Sequence, residues 1–394
     1  MDGSEHLTVT LEARQAVAAN LLGRLADDID ITPTQYARAK NAYETVGEVV
    51  QNAGGTILAN AKVFPQGSFA IGTVIKPVDR EDGEFDVDLA CRLDVKASAI
   101  APQQAKAMLG NALKADGRYQ PKLREKPRCW RIEYAGDFHL DICPLAIVNP
   151  QLDAIPDREL AQWVPTAPER YAEWFNKFAD RVRDIRFAKD VALEAHVDPF
   201  PEASENKGWL RRVVQLLKRH RDQWRLSARD ELKEFAPISI ILTTLSARVV
   251  ERNPEFFSAE RRPFEVVHAI VHGLAGGIEV RDAAGKPEVW IQSPVAHENF
   301  ANRWKDDRKW QEAFQAWLAD AKASVAALVN TYGLDSGKDV LAKGFGNRIA
   351  SQVLTEYGSA MAERRDRNEL TYTTAGLGVS TAGLAVPRHT FFGE

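Results

Sequence analysis

The 394-residue chain is poor in sulfur, with three cysteines and three methionines. Cys91, Cys129 and Cys143 make an odd count with no C-x-x-C spacing. That argues against a disulfide framework or a cysteine zinc site and fits reduced, buried thiols. Neither sign of charge dominates: 51 Lys and Arg stand against 55 Asp and Glu, a net charge of −4. The overall electrostatic footprint of a nucleic-acid coat protein is missing, which leaves only a local basic patch open. No apolar run reaches the roughly 18 residues that a membrane-spanning helix needs. The opening Met-Asp-Gly-Ser-Glu is acidic and lacks signal-peptide character, so the expected compartment is the cytoplasm. No internal repeat is present.

What the chain does have is length for two or three domains with cores of their own. Its 45% hydrophobic and 27% charged residues are those of an ordinary globular protein. Residues 8–28 predict a helix. Thr32-Pro33-Thr34-Gln35 predicts a second one, with Thr32 as cap, Pro33 in the first turn and Gln35 closing a capping box. Gly54-Gly55 ends it. Strands are expected at 61–65, 85–93, 122–134 (one or two) and 138–143, with a helix at 101–115. From about residue 160 the pattern turns helical, with segments at 168–184, 207–222, 237–251, 261–274, 297–304, 308–331 and 345–364. The Pro-rich bend His196-Val-Asp-Pro-Phe-Pro201 marks a boundary. The expected division is a core domain over 1–200, a helical domain over 201–370 and an extended tail over 371–394.

Two stretches carry chemistry. Gln66-Gly67-Ser68-Phe-Ala-Ile-Gly72-Thr73 offers backbone N–H groups and a hydroxyl at a turn. Glu84-Phe-Asp86-Val-Asp88-Leu-Ala90 then places two carboxylates on one strand face, because side chains alternate and residues two apart lie roughly 7 Å apart along a strand. A third aspartate, Asp141 in Phe138-His-Leu-Asp-Ile-Cys143, sits on the polar face of another strand. Hard oxygen ligands with open positions suit Mg²⁺ bridged to substrate phosphates. Two such ions about 3.5–4 Å apart serve attacking and leaving oxygens alike. A phosphate cradle beside a divalent-metal clamp indicates a nucleotide-handling enzyme. A bare D-x-D would equally mark a solvated strand face, and a lone Gly-Ser would be an ordinary turn. It is the combination that points to chemistry.

These residues resemble the polymerase-β-type nucleotidyltransferase superfamily, whose signature reads here as Gly67-Ser68, Phe85-Asp86-Val87-Asp88 and Leu140-Asp141. Within it the chain is similar to the bacterial cGAS/DncV-like nucleotidyltransferases (CD-NTases) of antiphage signalling over roughly residues 35–330. Supporting stretches are Asp141-Ile-Cys-Pro144, the helix around Lys218, the segment Pro237–Leu245, and Glu298-Asn-Phe-Ala-Asn-Arg-Trp304. The resemblance implies an α+β fold, a mixed sheet flanked by helices with a C-terminal helical domain, bilobed with the active site in the cleft. It implies template-independent synthesis of a cyclic oligonucleotide from NTPs, ATP first and GTP as the alternative. The expected product is an adenine-containing cyclic trinucleotide or a cyclic dinucleotide. Asp86, Asp88 and Asp141 would hold two Mg²⁺ (or Mn²⁺), with Asp141 also activating the acceptor 3′-hydroxyl. Gln66, Gly67 and Ser68 would hold the donor triphosphate, joined by Lys218 and Ser239. A HORMA-type regulator or an E1/E2-like conjugation enzyme acting at the tail is implied as partner, although Glu394 follows Gly393 where conjugation wants a terminal glycine.

Read from residues alone, Lys218 lies at the border of an apolar helix face, placed to snorkel with its ammonium free. Arg211, Arg212, Arg219 and Arg221 read as a solvated flank. Ser239, Thr243 and Ser246 form a hydroxyl stripe of the kind that bonds back to the preceding turn. His268 and His272 have metal spacing but no third ligand and no H-E-x-x-H glutamate, so they read as structural. The alternating basic run Lys122, Arg124, Lys126, Arg128 reads as a solvated sheet face. Two rival functions remain: transfer to RNA 3′ ends, a protein or a small molecule, which for RNA requires a basic groove, and a non-catalytic nucleotide-binding regulator, which has no need of a third carboxylate.

Overall fold

The computed structural model describes residues 11–78, 84–134, 136, 138–157, 159–182, 207–258, 261–283, 285–330 and 334–367, with 371–373, 376–378 and 384–385 in the tail. Residues 79–83, the bend at 196–201 and the end of the tail lie outside the described residues.

The first half runs α1 (Leu11–Ile29), α2 (Pro33–Asn52), α3 (Thr56–Ala59), β1 (Lys62–Pro65), α4 (Gly67–Ala70), β2 (Phe85–Lys96), α5 (Pro102–Ala115), β3 (Leu123–Glu125), β4 (Trp130–Tyr134), β5 (Phe138–Asn149), β6 (Leu152–Pro156), β7 (Trp163–Thr166) and α6 (Pro168–Ala179). The Thr32 capping box forms as its sequence requires, with the Thr32 side chain accepting from Gln35 N–H. The strands build one sheet in the order β1-β2-β5-β4-β3, with β6 and β7 continuing from β5. Only β2 and β5 run parallel; the other pairs are antiparallel. One face is dry: Val87, Leu89, Cys91 and Leu93 of β2 and Leu140 and Ile142 of β5 pack with Val46 and Val50 of α2 and Leu109 and Leu113 of α5. Helix α5 lies so close to the sheet that a Cβ on Gly110 would stand 2.2 Å from the Trp130 indole, whose Nε1 donates to Lys106 O at 2.9 Å.

The second half is α7 (Trp209–Ser227), α8 (Asp230–Lys233), α9 (Ser239–Arg252), α10 (Pro254–Ser258), α11 (Pro263–Gly273), the hairpin β8 (Glu279–Ala283) and β9 (Lys286–Trp290), α12 (Lys309–Asn330), α13 (Leu334–Phe345) and α14 (Asn347–Asp366). Trp317, fully buried, anchors its core together with Phe314 and Leu245. Helices α1 and α6 add Leu22, Leu25, Phe175 and Phe178 to this same core. The tail is extended where described, with short strands β10 (Thr371–Thr373), β11 (Gly376–Gly378) and β12 (Leu384–Ala385).

The structure departs from the sequence expectations in several places. Gly67-Ser68 opens the single helical turn α4 rather than a plain turn. Strands β6 and β7 and the β8–β9 hairpin lie where no element was expected, β7 and the hairpin within the part of the chain read as broadly helical. The hairpin leaves Val280 exposed and turns at Gly285, with φ +81°, so neither helical nor strand periodicity advertised it. Residues 297–304 form only a 3-10 turn, Asn302–Lys305. There Asn299 diverts the backbone: its Oδ1 accepts from Ile291 N–H and Ala301 N–H, and its Nδ2 donates to Val289 O. His268 and His272 stack at 4.1 Å on α11, and among the described residues they gain no third ligand. No described helix is long and apolar enough to cross a membrane.

Candidate active site

The parallel pairing of β2 with β5 sets the site. Its register places Asp88 directly opposite Asp141 and Asp86 opposite His139, and adjacent strands lie about 4.8 Å apart. Because the alternate residues of both strands are buried in the core, all three carboxylates emerge on the other face of the sheet. The structure therefore brings Asp86, Asp88 and Asp141 together.

Helix α4 rides on β2 at the same spot. Gln66 fastens it there: its backbone N–H donates to Asp88 O at 2.8 Å and its Nε2 to Leu89 O at 3.2 Å. Gly67 has φ +60°, a conformation that favours glycine, and a Cβ on it would lie 2.6 Å from Asp88 Oδ2. The N–H groups that open this turn have no intrahelical acceptor. The Gly67-Ser68 turn and the Asp88 carboxylate are thus in direct contact.

Helix α7 lies against the segment that follows α4. Its polar side chains donate to successive carbonyls of the segment after α4: Arg211 to Ile71 O at 3.1 Å, Gln215 to Val74 O at 2.7 Å and Arg219 to Pro77 O at 3.1 Å. Lys218 is buried, and its Nζ donates to Thr73 O at 2.8 Å and Thr73 Oγ1 at 3.2 Å. Two expectations are corrected here. The Lys218 ammonium is not free, because the Thr73 carbonyl and hydroxyl occupy it. The arginines are not a solvated flank: Arg219 is buried on Phe345 O and Pro77 O, and Arg212 donates to Gly23 O. Buried carbonyls of an irregular segment need donors, and long side chains on α7 supply them. Ser239 opens α9, where no preceding turn exists to accept its hydroxyl. It lies 3.4 Å from Arg221 Nη2, whereas Thr243 and Ser246 do bond back.

The electrostatics follow from crowding. Burial, then the charges of Asp86 and Asp141, push the Asp88 carboxyl up to about 7. Burial also raises Asp86, opposed by Arg131. Lys218 is pushed down to about 7, first by burial and then by Arg221, with Asp88 pulling the other way. The Lys218 ammonium and the Asp88 carboxylate are therefore close enough for the charge of each to act on the other.

Arg131 on β4 was not singled out in the sequence except as part of a strand. Opposite Asp141 in the antiparallel ladder, it donates through Nε to Asp141 Oδ1 at 2.7 Å and through Nη2 to Asp141 Oδ2 at 2.8 Å. The same Nη2 stands 3.4 Å from Asp86 Oδ1. One cation thus already bridges two of the three carboxylates, which are hard oxygen donors of the kind a divalent ion takes. No three His, Cys, Asp or Glu side chains among the described residues are arranged to clasp a metal as they stand. At the rim, Glu84 Oε2 lies 2.6 Å from His139 Nε2, and Glu84 Oε1 accepts from Gly136 N–H.

The sequence profile of the Second Messenger Oligonucleotide or Dinucleotide Synthetase domain matches residues 17–178, which contain all three aspartates and the Gly67-Ser68 turn. The chain is 28% identical over 392 residues to a c-di-GMP synthase of Roseivirga ehrenbergii, covering 95% of this chain and 96% of that protein. The chain is similar to the cGAS/DncV-like nucleotidyltransferases. Over 412 residues the chain is also 23% identical to the cyclic dinucleotide synthase CdnG of Bradyrhizobium diazoefficiens, covering 95% and 94% of the two chains. The solved structure of CdnG from that organism, in complex with GTP, superposes with a TM-score of 0.67 at 22% identity, covering 87% of this chain and 99% of the other. A complex of CdnC from Escherichia coli MS115-1 with a HORMA protein shares the fold at TM-score 0.58 and 13% identity, over 83% and 96%. The expected mixed sheet with a helical C-terminal region is what the structure has.

Proposed function

We propose that this protein is a CD-NTase that joins nucleoside triphosphates into a cyclic dinucleotide containing guanine, as a second messenger of antiphage defence in the cytoplasm. The observation that carries the reading is the in-register pair Asp88 and Asp141, with Asp86 beside them, facing Lys218 of the helical lobe in a chain that aligns end to end with named cyclic dinucleotide synthases. Those relatives favour a dinucleotide and guanine over the adenine-containing trinucleotide.

Asp86, Asp88 and Asp141 would hold two divalent ions, Mg²⁺ with Mn²⁺ as the alternative. Such ions neutralise charge on the attacking hydroxyl and on the departing pyrophosphate. Gly67 and Ser68 receive the donor triphosphate, while Ser239 and Lys218, which has a third ammonium N–H beyond the two given to Thr73, meet its far end. Asp141 accepts the proton of the acceptor 3′-hydroxyl, whose oxygen attacks the α-phosphorus as the bond to the β-phosphate breaks and pyrophosphate leaves. A second round on the linear intermediate closes the ring. Nucleotidyl transfer asks little more of a protein than positioning and charge neutralisation. The tail is read as a handle for a regulatory partner, of HORMA type or a conjugation enzyme.

The test is to incubate the protein with Mg²⁺ and each pair of NTPs, digest with phosphatase and weigh what survives. The mass of a cyclic dinucleotide formed only when GTP is supplied supports the reading. A cyclic trinucleotide, or product from ATP alone, overturns the product assignment.

A further inference from the structure

We propose that Arg131 is the resident counter-ion of the metal site, a positioning residue that gives up Asp141 when metal enters and then pairs with the substrate's phosphates. The inference rests on the metal reading of Asp86, Asp88 and Asp141 given above.

The geometry is that of a plugged site. The guanidinium fork takes both oxygens of Asp141 at 2.7 and 2.8 Å, and its Nη2 reaches toward Asp86 Oδ1 at 3.4 Å. These are the edges by which the two carboxylates would grip a cation. The pair is largely shielded, with 22% of the Arg131 side chain and 17% of the Asp141 side chain exposed, so it is not a solvent-screened surface contact. The ladder fixes the arrangement, because Arg131 and Asp141 are directly opposed across β4 and β5. A guanidinium matches a carboxylate or a phosphate edge equally well.

Once released, Arg131 has no free carboxylate of its own strand to turn to. Glu133, the next acid on the same face of β4, already pairs with Arg124 at 3.1 Å. The anion that arrives with the metal is the triphosphate, which the Gly67-Ser68 turn beside Asp88 would hold on this face of the sheet. In the empty site Arg131 offsets part of the repulsion among three aspartates. In the loaded site it adds positive charge beside the phosphates. This predicts that Arg131 weakens metal binding by the nucleotide-free protein and strengthens nucleotide binding once metal is present.

The experiment titrates the full-length protein with Mn²⁺ without nucleotide, reading free Mn²⁺ by its paramagnetic resonance signal. Wild type is compared with Arg131→Met, Arg131→Lys and Asp88→Asn. Hydrogen bonds to charged groups are strong enough that their removal should tighten Mn²⁺ binding by Arg131→Met about tenfold or more. Arg131→Lys, which keeps the charge but loses the fork, should fall between the two. At saturating Mn²⁺, the KM of Arg131→Met for NTP should rise several-fold. Equal or weaker Mn²⁺ binding by Arg131→Met, with a near-UV circular dichroism spectrum like wild type, overturns the role. If that variant misfolds, an Arg131→Lys affinity equal to wild type overturns it instead. An unchanged NTP KM overturns the handover to phosphate. Mn²⁺ binding that Asp88→Asn leaves intact overturns the metal reading itself, and this inference with it.

Discussion

Replacing Gly67 by alanine tests whether the cradle and the carboxylates form one unit. Two effects are built into that position. At φ +60° an L side chain costs about 1–2 kcal/mol of backbone strain. The new Cβ would also stand 2.6 Å from Asp88 Oδ2, well inside van der Waals contact, so the carboxylate or the turn must give way. Asp88 cannot retreat easily, because its own carbonyl accepts from Gln66 N–H and its strand is held between β1 and β5. A displacement of order 1 Å in a catalytic group can cost about 10²-fold in rate. Gly54→Ala supplies the control: φ is +84°, so the backbone strain is similar, but nothing lies within 4 Å of the added Cβ. Both variants should lower the melting temperature by no more than a few degrees. Only Gly67→Ala should lose turnover, measured as pyrophosphate released, by about 10²-fold. Equal turnover in the two variants, or a Gly67→Ala enzyme within threefold of wild type, would refute the reasoning.

Other consequences are open to direct measurement. Lys218→Met should raise the KM for NTP at least tenfold, because a buried cation held at Thr73, next to the Gly67-Ser68 turn, is lost; an unchanged KM contradicts its proposed contact with the triphosphate. Gly110→Ala drives a Cβ into the Trp130 indole and should destabilise the fold by about 1–3 kcal/mol in denaturant titration, so unchanged stability would contradict the close packing of α5. Asp28 lies away from the site, and its carboxyl is pushed up to about 6, chiefly by burial and then by Glu356. Because its folded pKa is raised, its protonated form favours folding, and that stability is lost as pH climbs from about 4 through 6. Asp28→Asn should flatten this limb of the melting curve and stabilise the protein at pH 7 by order 1 kcal/mol after solvent screening; an equally steep limb contradicts the assignment.

Local pattern carried much of this. Alternation in Phe85-Asp86-Val87-Asp88 and in Leu140-Asp141 gave the correct faces, and the Thr32 capping box formed as written. What escaped the sequence depends on contacts between distant segments. That Arg131 meets Asp141 is a matter of strand register, and one residue of slip would have pointed it into the core. That Arg211, Arg212 and Arg219 are anchors follows from carbonyls at Ile71, Gly23 and Pro77, invisible to helical periodicity. Lys218 was legible as a residue of interest, but its Thr73 partner lies 145 positions away. The hairpin β8–β9 buries too little to show a strand pattern.

The most direct test compares wild type with Asp88→Asn for the formation of phosphatase-resistant product from NTPs and Mg²⁺. The substitution keeps the shape of a side chain pressed between Gly67 and Asp141 and removes its charge. The account predicts a resistant cyclic product from wild type and none above background from Asp88→Asn at the same melting temperature. Undiminished product from Asp88→Asn, or none from wild type, would contradict it.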